Sequence, residues 1–154
     1  MQRLSGVVLA GALMMLPAFS QNGVVEAGQA APQKFTMEGD LTLLHVAVKP
    51  DKAADYEQIL NKVKDALTKA GTPEAKQQLA GWRVVKMSKP NPDGTLLFTH
   101  IITPVPGADY NILQVLYGTI TDPAEQKTLY DLYRGAFEKN LGLSQYTNSV
   151  DLSK

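Results

Sequence analysis

The sequence predicts a single α+β domain in the order strand, helix, strand, strand, helix, strand. Three observations carry that prediction. Residues 40–49, "DLTLLHVAVK", put Leu44, Val46 and Val48 on one side and Leu43, His45, Ala47 and Lys49 on the other, the two-residue alternation of a strand. Residues 51–71 place Tyr56, Ile59, Leu60, Val63 and Leu67 at the spacing of one helical stripe. "WRVVKMS" (82–88) and "TLLFTHIIT" (95–103) are strand-like runs joined by "KPNPDG", whose prolines and Asp93-Gly94 read as a turn, so they form a hairpin.

Each element has its own punctuation. Pro50 stops the first strand, and Asp51 is expected to cap the helix that follows. Gly71 ends that helix as a left-handed cap would. Thr72-Pro73-Glu74 then opens a short helix that ends at Gly81. Pro104 and Pro106 close the third strand, and a helix is expected from Asp109 to about Tyr117. Asp122-Pro123-Ala124-Glu125 is a helix start, with Leu129, Leu132, Tyr133, Ala136 and Phe137 as its stripe. A last strand is expected over about Gln145 to Leu152. The domain is expected to occupy residues 39–154.

Residues 1–20, "MQRLSGVVLAGALMMLPAFS", carry one basic residue, Arg3, then an apolar run from Leu4 to Leu16 broken by Pro17. That is the pattern of a secretory signal peptide, so an exported chain, periplasmic or secreted, is expected. The run is shorter than the roughly 20 apolar residues of a membrane span, so no span is expected in the mature chain. Residues 21–38 read as a flexible lead-in, although the start of order is expected between Phe35 and Leu41. Lys+Arg and Asp+Glu are both 15, which gives no basic field for nucleic acid or anionic lipid. The absence of cysteine excludes disulfides, thiol catalysis and cysteine-held metals, and leaves the core to supply stability.

A β-α-β-β-α-β order is that of a ferredoxin-like unit, an antiparallel sheet with helices on one face. Leu43, Trp82, Phe98 and Ile102 argue that the second face is not solvated, and a second copy of the sheet would cover it. The corner "VAVKPDKAADYEQIL", Val46 to Leu60, resembles the strand-to-helix corner of the dimeric α+β barrel superfamily, which includes antibiotic-biosynthesis monooxygenase-like and stress-responsive barrel domains. The resemblance extends over Leu41 to about Leu152 as a pattern of elements, and the stretch from Tyr110 to Thr121 departs from it. It implies a homodimer and a ligand cavity between sheet and helices or inside the barrel. It does not fix a reaction, because that superfamily spans cofactor-free oxygenases, haem-degrading enzymes, cyclases and proteins of no known activity.

The candidate site residues are few. His45 and His100 are the only histidines. If both project from one face into a cavity, either is a candidate catalytic base, since imidazole titrates near neutrality. If they do not, each is a strand histidine with ordinary hydrogen-bond partners. One face of the third strand reads Leu96, Phe98, His100, Ile102 and the other Leu97, Thr99, Ile101, so the sequence leaves the face of His100 open. Trp82, His100, His45 and Tyr117 are the candidate ligand-binding residues, with Trp82 placed to stack a planar ligand or to anchor the core. Arg83 is a candidate carboxylate partner or a solvated rim residue. Tyr110, Tyr130 and Tyr133 complete an aromatic set with Tyr117; Tyr133 sits on a helical stripe, so packing explains it first, and Tyr117, near the break at Gly118, is the best of the four as a cavity residue. No metal is expected, as two histidines lack a third ligand at metal spacing, and no nucleotide or cofactor motif is present. The expected function is an exported small-molecule-binding or structural barrel, taking a small apolar or aromatic ligand. The alternatives are a cofactor-free monooxygenase or cyclase with a strand histidine as base, and a protein-interaction module using the sheet face.

Overall fold

Why these residues form these elements is visible at the caps. The computed structural model describes residues 33–150 and 152; the expected signal peptide and most of the expected lead-in lie outside them. The elements are β1 (Leu41–Val48), α1 (Ala53–Ala70), α2 (Pro73–Gly81), β2 (Trp82–Lys86), β3 (Leu96–Ile102), α3 (Ile112–Tyr117), α4 (Pro123–Ala136) and β4 (Phe137–Tyr146). Thr72 Oγ1 accepts from Ala75 N at 3.1 Å to start α2, and the Asp122 carboxylate accepts from Ala124 N and Glu125 N to start α4. Gly71 closes α1 at φ 65°, its N–H reaching Leu67 O, a conformation that a side chain would strain.

Two helix starts differ from expectation. Asp51 does not cap α1: Pro50–Lys52 form one 3-10 turn, and Lys52 enters α1 with no side-chain cap. The fixed φ of Pro50 favours that tight turn, and Lys49 N bonds Ala136 O at 3.0 Å just before it. α3 begins at Ile112 rather than near Asp109, because the Asp109 carboxylate accepts from Phe35 N and Asn111 N, leaving Asn111 as the cap. Residues 33–38, the end of the stretch expected as a lead-in, thus lie against the domain, with Met37 buried beside Ile102 and Tyr110.

The four strands form one antiparallel sheet in the order β2-β3-β1-β4, with β1 and β3 in the centre. Directly opposed residues share a face. Leu44 opposes His100 and Val46 opposes Phe98, and this face packs with Tyr56 of α1 and Ala136 of α4. A second cluster joins the helices, centred on Ile59 and Leu116, both fully buried. Each such side chain contributes on the order of 1.5–3 kcal/mol. Among the described residues no helix is long and apolar enough to cross a membrane.

Two expectations are corrected here. The last strand is Phe137–Tyr146, not 145–152, and it follows α4 without a loop. Its register against β1 shifts twice, between His45 and Val46 and between Ala47 and Val48, so its inward side chains do not recur every second residue. Of the residues taken to cover the second face, only Leu43 lies there. Trp82, Phe98 and Ile102 pack towards the helices, since Trp82 opposes Ile102 and both lie in the cores on that side. The outer face carries Leu43, Leu97, Ile101, Val85 and Met87 instead, with Tyr146 at the β4 edge.

Candidate functional site

β3 turns His100 towards the helices, where it is 0% exposed. Trp82 reaches it from the start of β2. The last residue of α2, Gly81, lies so close to β3 that an added Cβ would stand 2.9 Å from Thr103 O, and Thr103 N donates to Gly81 O at 2.8 Å. Only glycine permits that approach, which seats Trp82 opposite Ile102 with its indole beside the imidazole. α1 supplies Tyr56, also 0% exposed and in edge contact with Phe98 and His100.

The three polar tips form one chain. Trp82 Nε1 donates to His100 Nδ1 at 3.0 Å, and Tyr56 Oη lies 2.8 Å from His100 Nε2. An indole N–H is only a donor, so Nδ1 must carry the lone pair. The neutral ring then carries its proton on Nε2 and donates it to Tyr56 Oη. Burial lowers the His100 pKa from 6.5 to about 4, so the ring is neutral at pH 7. Burial, with Tyr133 as a second cause, pushes Tyr56 far above the ordinary phenol range. This arrangement cross-links α1, β2 and β3. It leaves His100 no unpaired nitrogen with which to act as a base.

His45 is on the opposite face. It opposes Thr99 and Gly142, and its Nδ1 lies 3.0 Å from Thr99 Oγ1. The two histidines therefore share no cavity, and the shared-face condition for a catalytic pair fails. Tyr117 is also apart: it packs with the helical core, and its hydroxyl donates to Gln126 O at 3.4 Å. Burial raises its pKa, with Tyr130 and Asp131 adding to the rise. Arg83 is exposed on β2 beside Ile101, on the outer face. Of the four candidate ligand-binding residues, the fold brings together Trp82 and His100. It adds Tyr56 and Tyr110, the latter edge-on to Trp82 at 5.4 Å with its hydroxyl accepting from Val105 N. A tyrosine on a buried helical stripe needs a partner for its hydroxyl, and that was the available signal for Tyr56.

Two clefts flank the chain. One, of about 420 Å³, lies between α1, α2 and β2, walled by Leu60, Val63, Leu67, Leu79, Trp82 and Val84, with Asn61, Lys64 and Thr68 at its rim. The other, of about 350 Å³, lies between β1, α3, α4 and β4, with Tyr56 and His100 in its floor. Among the described residues no three His, Cys, Asp or Glu side chains cluster as metal ligands would. No protein-family model, curated protein or solved structure matches the chain.

Proposed function

We propose that the protein binds a small apolar or aromatic molecule without catalysis, in the cleft between α1, α2 and β2. The observation that carries this reading is the Trp82 wall. Its indole N–H is committed to His100, so towards the cleft it presents only its hydrophobic ring, held in place beforehand. The cleft volume falls in the range of small-molecule sites, and its walls are apolar. Trp82 is the single tryptophan, so its emission reports on the cleft directly. Titrating the purified protein with straight-chain alcohols of increasing length is expected to give a saturable change in that emission. Leu79→Phe, which fills the cleft, is expected to weaken binding by about tenfold. The absence of saturation at every chain length, or binding unchanged in Leu79→Phe, would overturn the reading.

The finer architecture belongs to the same proposal: a ferredoxin-like unit of an exported chain, related to the dimeric α+β barrels and paired through the outer sheet face. Read from the β4 edge, the order is 4-1-3-2, all antiparallel with β1 and β3 central. In support of pairing, the outer face presents Leu43, Leu97 and Ile101, with Val85 48% and Met87 43% exposed. Native mass spectrometry of the protein purified from its source reports mass and retained ligand together. A dimer is expected, and a monomer without ligand would sink the barrel.

A further inference from the structure

The second cleft has different chemistry from the first. Because Trp82 fixes the proton of His100 on Nε2, Tyr56 Oη is an acceptor in that contact, and its own hydroxyl hydrogen has no acceptor among the described residues. Tyr133 stacks beside Tyr56 with ring centroids 6.3 Å apart, and its hydroxyl makes no hydrogen bond among the described residues. Arg134 follows on α4 at the mouth and pairs with no carboxylate among the described residues. It lies close enough to Tyr133 to oppose the rise in that hydroxyl's pKa that burial causes. The side-chain oxygens of Asn111 and Asn140 are taken by backbone N–H groups, which leaves their amide donors. The cleft lining contains no Asp or Glu.

We propose that this cleft is a second binding site, for a small carboxylic acid with an apolar or aromatic body. Its carboxylate is received by the Tyr133 hydroxyl and the Arg134 guanidinium, over the buried Tyr56. Hydrogen-bond donors with a cation and no competing acid are what a carboxylate needs, and a neutral ligand would leave them partly unused. Leu44, Val46, Ile112 and Phe137 line the same space and take the body of the ligand. A volume of about 350 Å³ suits a one-ring acid. The inference does not depend on the apolar cleft described above.

The test is calorimetric titration of the full chain with phenylacetate, and with phenylacetamide as its uncharged counterpart. Phenylacetate is expected to bind about tenfold more tightly than the amide. Arg134→Gln and Tyr133→Phe, neither of which removes a hydrogen bond of the Trp82–His100–Tyr56 chain, are each expected to weaken phenylacetate by about three- to tenfold and the amide by less than about twofold. Circular dichroism checks that both variants fold, and Leu79→Phe is expected to leave phenylacetate binding unchanged. The proposal is overturned if phenylacetate does not bind, or binds no better than the amide. Wild-type affinity in the folded Tyr133→Phe/Arg134→Gln double variant would overturn it too, as would loss of binding in Leu79→Phe, which would place the acid in the first cleft.

Discussion

His45 and His100 sit on neighbouring central strands, since His45 opposes Thr99, the residue before His100. One step along β3 changes the face, and with it the whole environment. His100 is fully buried, with both ring nitrogens engaged, and is held neutral down to about pH 4 by burial. His45 is half-buried, with one hydroxyl neighbour. The contrast teaches that strand parity, rather than residue type, decides whether a histidine builds the domain or decorates it.

The largest effect should come from truncating each in turn. His100→Ala opens a cavity and leaves the Trp82 N–H unpaired, and is expected to cost about 4 kcal/mol in urea unfolding. His45→Ala should cost less than about 1 kcal/mol. Equal costs would break the comparison.

Acid should separate them next. The pKa of His100 is depressed from 6.5 to about 4 in the folded state, so the unfolded chain binds its proton first. Its contribution is whole above pH 6.5 and is lost as pH falls towards 4, by about 3 kcal/mol. The difference between wild type and His100→Gln across that window isolates the effect from carboxylate titration. A constant difference would show that His100 does not titrate as buried.

Trp82→Phe keeps most of the ring but removes the donor to Nδ1, and is expected to cost about 1–2 kcal/mol by the same unfolding measurement. It should also shrink the cost of a further His100→Gln change, because the two residues share one bond. The smallest effect belongs to the outer face: Thr99→Val removes only the contact with His45 and should cost no more than about 1 kcal/mol.

Much of the scaffold was legible before any coordinates. The stripe of Tyr56, Ile59, Val63 and Leu67 is the buried face of α1, and the Thr72 and Asp122 caps act where the sequence places them. These are local signals, set within a few residues. β4 was misread because its pairing to β1 contains irregularities that erase alternation. Asp51 failed as a cap because the turn at Pro50 took precedence. The site was legible only in its parts: Trp82 and His100 were candidates that the fold brings together, Tyr56 passed as core, and Tyr117 lies apart from them against the helical cluster.

By itself, the sequence determined the α+β class, the helix stripes and the two central strands, because periodicity and capping are short-range. Only the tertiary structure decided which face of β3 meets the helices. That required knowing that Leu44 lies opposite His100, a pairing between residues 56 positions apart in the chain. No local pattern encodes such a register. It is chosen when the apolar faces of β1, β3 and α1 are buried together, and the same choice put the two histidines on opposite sides of the sheet.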